Sequence, residues 1–202
     1  MIVEFLHQTS IVMTQEKDYL IQIDGIVGDS DLGLTMSDGF TSAYECVLNS
    51  DETDLGKLLY TAGKTMSVKA PSTMGTLMAS GMMQAGKDLR GKTSLEDKDW
   101  VTLFDSYETG VQHRGKAKLG DKTFLDGFDP GLQTLRKALE AGQGLKAAAA
   151  KAAVASDEGS KATVGMLAVF GKAAAHGEAS RRLEDPGAKV ASLIFKAFAQ
   201  AV

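Results

Sequence analysis

The sequence has little of what builds disulfide-linked, membrane-spanning or nucleic-acid-binding proteins. Only one of its 202 residues is cysteine (Cys46), so no internal disulfide can form, and three prolines leave long stretches free to be helical. No apolar run approaches the roughly 18 residues needed to cross a membrane. The net charge of −4 disfavours a nucleic-acid surface. The N-terminus lacks a basic region followed by an apolar one, and we therefore expect a cytoplasmic protein without a membrane or nucleic-acid partner.

What the sequence does contain favours helix. Alanine, leucine, lysine and glutamate are abundant, and sustained alternation of polar and apolar residues does not occur. The length suits a single domain over residues 1–202. We expect an all-α fold of eight helices, the first of which continues through two segments. The predicted segments are about 1–13, 15–24, 34–48, 55–67, 72–87, 95–113, 123–141, 145–156 with a continuation to about 170, and 187–201.

An acidic loop punctuated by glycines is the most informative stretch, and it reads Asp24-Gly25-Ile26-Val27-Gly28-Asp29-Ser30-Asp31-Leu32-Gly33. Its three carboxylates fall within eight residues and repel one another unless a counter-charge is bound. Mg²⁺ takes oxygen ligands and commonly shares its coordination shell with phosphate oxygens. The loop therefore predicts a metal–phosphate site. The simpler alternative is that these residues only form turns and helix caps, with Asp31 starting the next helix.

Three further breaks contain groups that suit an anionic ligand. Ser72 and Thr73 follow Pro71 and could donate to phosphate oxygens, or simply cap a helix. Residues 113–123 are basic and rich in glycine, which suits either an anion site or a solvated loop. Residues 171–187 are irregular and contain Lys172, which could neutralise phosphate charge or lie free on the surface.

These loops resemble, in order and spacing, the signatures of the nucleotide-binding (L) subunit family of dihydroxyacetone kinases. The acidic loop resembles the metal loop of that family. Residues 114–126 resemble its R-G-K-A-x-x-G-D-K-T-M-x-D signature, and residues 171–188 resemble its G-R-A-S-Y-x-G-E-R-S…D-P-G-A ending. The resemblance covers nearly the whole chain. It implies eight antiparallel helices closed into a barrel, with the nucleotide held in the loops at one end.

The resemblance also implies a set of site residues. Asp24, Asp29 and Asp31 would hold Mg²⁺, with two ions expected, against the phosphates of ADP or ATP, and Lys172 would join them as a catalytic residue. Phosphoryl transfer depends mainly on positioning and charge neutralisation, which suits this set. The residues assigned to the nucleotide are Leu32, Gly33, Leu34, Thr35, Ser72, Thr73, Met74, Gly75, Gly115, Thr123, Phe124, Lys172, Asp185, Pro186 and Gly187.

The sequence departs from the family at three of these places. Residues 71–75 read Pro-Ser-Thr-Met-Gly where the family has a loop of the G-G-A-S-G type. Thr35 stands where asparagine is usual, and Lys172 stands where arginine is usual. Lysine is a point charge without the bidentate fork of arginine. These departures bear on turnover, substrate and nucleotide preference and leave the acidic loop intact.

The resemblance implies a phosphotransferase that works with other subunits. The nucleotide would donate its phosphoryl group to dihydroxyacetone held on a separate K subunit. In one version of the family, bound ADP is recharged by a phosphohistidine M subunit of the phosphotransferase system, and in the other version free ATP exchanges. Two alternatives stay open: a nucleotide-binding regulatory subunit that contacts a transcription factor, and an ATP-exchanging kinase for another short ketose. A homodimer also stays open.

Overall fold

The computed structural model describes residues 1–202, and the chain is helical throughout, without a β-strand. An interrupted 3₁₀ segment over Lys172–Arg182 precedes the last α-helix, with its kink at Gly177. None of the helices has both the length and the hydropathy needed to span a bilayer. The α-helices are α1 (Ile2–Gln15), α2 (Lys17–Val27), α3 (Leu32–Leu48), α4 (Leu55–Lys69), α5 (Thr73–Asp88), α6 (Asp97–Gly115), α7 (Phe124–Glu140), α8 (Leu145–Ala162) and α9 (Pro186–Ala201).

The all-α prediction is confirmed, but the structure has nine α-helices and a 3₁₀ segment where the sequence predicted eight helices. The first predicted helix divides at Glu16, whose φ of −92° and ψ of 4° end α1 and start α2. Helix α8 runs through Gly159 without a break and ends at Ala162. The expected continuation to residue 170 is therefore wrong, and the chain instead turns at Gly165, which has a φ of 95°.

An aromatic cluster forms the centre of the core and joins helices from both ends of the sequence. Phe104 of α6 stacks on Phe195 of α9 at 4.7 Å between ring centroids, and meets Phe198 edge-on at 4.9 Å. Phe5 of α1 and Phe128 of α7 contact the same ring at 5.8 Å each. Burying one such ring stabilises the fold by roughly 1.5–3 kcal/mol. This cluster fixes the helices whose ends carry the loops.

Helices α7 and α8 pack closely because the buried face of α8 carries only small side chains. Ala148, Ala149 and Ala152 are fully buried there. One turn further on, the Ser156 hydroxyl donates to the Gly127 carbonyl of α7 at 2.7 Å. A Cβ atom on Gly159 would lie 2.8 Å from the Asp126 carbonyl oxygen, too close for a real contact. Small residues on α8 therefore set the separation of this helix pair.

Candidate functional site

Four connections between helices meet around one cavity of about 1050 Å³. Its lining comes from residues 24–32, 67–77, 111–125 and 170–187, which include the acidic loop and the three further breaks. The volume is at the upper end of the range for small-molecule sites. The apolar residues of its wall include Met74, Leu77, Val111, Phe124 and Leu125.

The acidic loop brings its three carboxylates together between α2 and α3. Asp24 lies on the last turn of α2, and its Oδ2 accepts the backbone N–H groups of Asp31 at 3.1 Å and Leu32 at 3.3 Å. Ser30 adopts a left-handed conformation, with a φ of 64°, which turns the chain back on itself. One oxygen from each of Asp24, Asp29 and Asp31 lies within 4.8 Å of the others. Folding thus converges the three side chains that the sequence only places near one another.

The electrostatics of this cluster show a shortage of positive charge. Lys172 forms an ion pair with Asp29, which lowers the pKa of that carboxyl and raises the pKa of the lysine. The pKa of Asp31 is raised, first by burial and then by the negative charges of Asp29 and Asp24. One lysine therefore faces three carboxylates. A convergent set of oxygen donors with unbalanced negative charge fits a hard divalent cation.

The basic break is ordered by a capping box at the start of α7. The Asp126 carboxylate accepts the backbone N–H groups of Gly120 at 2.6 Å and Thr123 at 2.7 Å. In return, the Thr123 hydroxyl accepts the N–H of Leu125 at 3.3 Å. These bonds satisfy backbone groups that the first turn of a helix leaves free, and they hold Thr123 and Phe124 at the cavity.

Asp185 caps the start of α9 as Thr123 and Asp126 cap the start of α7. Its carboxylate accepts the Ala188 N–H at 2.8 Å, and its own N–H donates to the Thr163 hydroxyl at 2.9 Å. The side chain is buried, and this burial, together with the charge of Asp126, raises the pKa of Asp185 to about 7. The resemblance had assigned Asp185, Pro186 and Gly187 to the nucleotide site, and the structure places all three in the cavity wall.

Lys122 is a residue of this site whose position the sequence did not indicate. It is only 2% exposed, although lysines are almost never fully buried. Its ammonium group donates to the backbone carbonyls of Thr163 at 2.9 Å, Ser180 at 2.8 Å and Leu183 at 2.5 Å. Burial lowers its pKa. The only local signal was its place in the G-D-K-T signature, which says nothing of burial.

The structure brings most of the predicted site residues to the cavity. Those that line it are Asp24, Asp29, Asp31, Leu32, Ser72, Thr73, Met74, Gly115, Thr123, Phe124, Lys172, Asp185, Pro186 and Gly187. Lining residues that the prediction omitted are Val27, Ser67, Pro71, Thr76, Leu77, Val111, Arg114, Ala117, Lys122, Leu125, Phe170, Gly171 and Ala173. Most of the omitted residues are neighbours of predicted ones along the chain.

Four predicted residues do not line the cavity: Gly33, Leu34, Thr35 and Gly75. Gly33 is buried against the Lys17 carbonyl of α2, and Gly75 lies against the Ala70 carbonyl. A Cβ atom at either glycine would collide with backbone. Both glycines thus act on the packing beneath the loops.

Fold and site together define a class: an all-helical protein with a candidate oxygen-liganded cation site beside a large, partly apolar cavity. A family model described as the DAK2 domain matches residues 26–200, so the chain belongs to the DAK2 domain family. The resemblance inferred from the loop signatures is thereby confirmed.

Two relatives resemble the chain over most of their length. The ADP-binding subunit DhaL of the PEP-dependent dihydroxyacetone kinase of Escherichia coli (strain K12) is 30% identical over 187 residues, covering 93% of this chain and 89% of that subunit. The corresponding subunit of kinase 2 of Listeria innocua is 31% identical over 186 residues, covering 91% and 86%.

Solved structures of the dihydroxyacetone kinase of C. freundii share the fold. The native form superposes with a TM-score of 0.75 at 20% identity, and the complex with AMP-PNP and Mg²⁺ with a TM-score of 0.65 at 22% identity. Each comparison covers 100% of this chain and 34% of the larger kinase chain. The present chain thus corresponds to about a third of that kinase.

Proposed function

We propose that this protein is the ADP- and Mg²⁺-binding subunit of a dihydroxyacetone kinase and passes phosphoryl from its nucleotide to a ketose held by a separate K subunit. One observation carries the proposal: three carboxylates with oxygens within 4.8 Å of one another at a cavity of about 1050 Å³. The similarity to kinase subunits that are named for ADP binding supports it.

In this proposal the carboxylates of Asp24, Asp29 and Asp31 hold two Mg²⁺ ions, which supply charge neutralisation for the phosphates. The N–H groups of Asp31 and Leu32 orient Asp24. Lys172 reaches the same cluster and adds the positive charge that a phosphoryl group in transfer requires. Each of these groups acts by position, as phosphoryl transfer demands.

The remaining predicted residues divide between the two ends of the nucleotide. The apolar wall around Phe124, with Gly115 beside it, would border the base. Ser72 to Met74, Thr123 and the start of α9 at Asp185 to Gly187 would lie along the phosphates and sugar. We assign Gly33 and Gly75 an indirect role, because they let the helices beneath the loops approach closely. Leu34 and Thr35 would act from the first turn of α3.

We also propose that residues 1–202 form one domain built as a closed barrel of eight antiparallel helices, with α2 added beside the cavity. Packing between neighbours supports closure, since α1 contacts α3, and each helix from α3 to α8 contacts the next along the chain. Helix α8 then contacts α9, and α9 contacts α1.

The segments that line the cavity also carry exposed apolar side chains, which supports a protein partner at the mouth of the cavity. Seven of the thirteen exposed large apolar side chains lie within three residues of a lining residue along the chain: Ile26, Leu34, Val68, Leu119, Leu167, Val169 and Phe170. Concentrated exposed apolar residues are typical of interaction surfaces. We propose that the K subunit covers this mouth and that a phosphohistidine M subunit recharges the nucleotide, as the PEP dependence of the relatives suggests.

A nucleotide assay tests the proposal directly. The purified protein is denatured, and released small molecules are identified by chromatography and mass spectrometry; stripped, refolded protein is then titrated calorimetrically with Mg–ADP and Mg–ATP. Release of ADP, or magnesium-dependent binding that Asp29→Ala removes and Asp38→Ala retains, is the expected result. Asp38 is an exposed carboxylate on α3 outside the cluster. A protein that carries no nucleotide and binds none in the titration would refute the assignment.

A further inference from the structure

Residues 163–185 connect α8 to α9 and carry Lys172, but they have little packing of their own. Within the 3₁₀ segment only Ser180 is buried. Three glycines with positive φ, Gly165, Gly171 and Gly177, interrupt the connection. The 3₁₀ segment packs chiefly on α2. Its conformation therefore depends on a few specific polar contacts.

Lys122 makes the most concentrated of these contacts. Its ammonium group reaches a carbonyl at each of three points along the connection: Thr163 at its start, Ser180 within the 3₁₀ segment and Leu183 just before α9. An ammonium group has three protons, and all three are used. Although Lys122 lines the cavity, it has no donor left for a ligand.

The neighbouring contacts depend on the same arrangement. The Ser180 hydroxyl accepts the Ala168 N–H at 3.1 Å, and the Thr163 hydroxyl accepts the Asp185 N–H at 2.9 Å. Lys122 thus links the start of the connection to its end, and the end leads directly into Asp185. Between these two ends lies Lys172, paired with Asp29 of the acidic cluster.

We propose that Lys122 is a positioning residue for Lys172: its buried ammonium group holds residues 163–185 in the conformation that presents Lys172 to the acidic cluster. The expected effect on nucleotide binding rests on the proposed function. The ordering of the connection itself does not depend on any ligand. An aliphatic side chain at residue 122 would leave three carbonyls without their donor, and the connection would loosen.

The first test needs no nucleotide. Amide hydrogen exchange is compared for the parent, Lys122→Met and Lys118→Met, which removes an exposed lysine from the same loop. In Lys122→Met we expect loss of protection within residues 163–185, with α1 to α7 unchanged, and no change in Lys118→Met. Unchanged protection of 163–185 in Lys122→Met would overturn the inference.

The second test is a double-mutant cycle on Mg–ADP affinity with Lys122→Met and Lys172→Met. We expect Lys122→Met to weaken binding by about tenfold in the parent and by less than about threefold when Lys172 is already replaced, because contacts that act through one group are not additive. If the two substitutions weaken Mg–ADP binding independently, so that the fold-change of the double variant is the product of the single ones, Lys122 does not act through Lys172. A parent that binds no Mg–ADP would remove the proposed function, while the exchange test still decides the role of Lys122. If Lys122→Met does not fold, Lys122→Gln replaces it in both tests. Its amide keeps two of the three N–H donors, so we expect the same changes at smaller size, and full protection of residues 163–185 would again overturn the inference.

Discussion

Replacing Asp31 with asparagine should raise the stability of the free protein and abolish its stabilisation by Mg–ADP. Two unit charges 4.8 Å apart, the limit of separation within this cluster, repel by about 1 kcal/mol in surroundings like water. Asp31 faces two such charges, and Lys172 offsets part of one. The dipole of α3 favours the Asp31 charge, whereas burial and the charges of Asp29 and Asp24 oppose it and raise the pKa of Asp31.

The gain in stability of Asp31→Asn is small because Asp31 is largely exposed and salt screens the repulsion. We expect a net gain of about 0.5 kcal/mol at low salt, which corresponds to about 1–2 °C in Tm for a chain of this size. Asparagine is also a good residue at a helix start, and Asp31 makes no side-chain cap hydrogen bond that would be lost.

Thermal unfolding followed by circular dichroism in EDTA, and again in Mg–ADP, measures both effects. At a ligand concentration of about 100 Kd the parent should gain about 2.7 kcal/mol, or roughly 5–10 °C, whereas Asp31→Asn should gain nothing. Asp38→Asn, on the same helix and outside the cluster, should match the parent in both conditions. A lower Tm of Asp31→Asn in EDTA, or a full response of the variant to Mg–ADP, would contradict this account of the cluster.

Three further predictions concern other parts of the molecule. Burial and the nearby charges of Asp129 and Asp105 raise the pKa of Glu108 to about 7, so its contribution to stability is complete below the pKa of the unfolded chain and lost as pH rises through 7. Because the pKa of Asp185 is raised to about 7 as well, the parent and Glu108→Gln should both lose stability between pH 6 and 8 in urea unfolding, and the parent should lose about 1 kcal/mol more. Phe104→Ala should lower the free energy of unfolding by about 3–5 kcal/mol in the same assay, because the ring contacts five other aromatic rings. Gly33→Ala should lower Tm and weaken Mg–ADP binding, since its Cβ would meet the Lys17 carbonyl. Gly144→Ala has no atom within 4 Å of the new Cβ, so it should lower Tm only by the small cost of losing a glycine N-cap and leave Mg–ADP binding unchanged. Equal effects of the two glycine replacements would refute the packing argument.

The sequence predicted the helical fold and the acidic loop because both depend on local patterns. Apolar periodicity and the scarcity of proline act over a few turns, and three carboxylates in eight residues need a counter-charge wherever the chain places them. The loop signatures also led to the correct family. Barrel closure and the roles of the individual site residues stay predictions.

Other features could not be predicted because they depend on contacts that are distant in sequence. Lys122 is buried only because Thr163, Ser180 and Leu183 bring their carbonyls to it from 41 to 61 residues away. Gly33 matched a ligand-binding signature, but the structure explains the glycine differently: α2 lies so close that a side chain at residue 33 would collide with its backbone. Even a local feature was missed at Glu16, since glutamate is a good helix former and nothing in the sequence marks the division there.

The small side chains on α8 have a consequence for how the cavity can be altered. No residue of α8 lines the cavity, but the helix packs on α7, which begins with the lining residues Phe124 and Leu125. Ser156 and Gly159 of α8 meet Gly127 and Asp126, so these two small residues act as spacers for the first turn of α7. An added methyl group at Ser156 or Gly159 would press on that turn and change the shape of the cavity wall from a helix that does not itself line the cavity. The room available to a nucleotide base could thus be adjusted from a helix whose composition alone looks featureless.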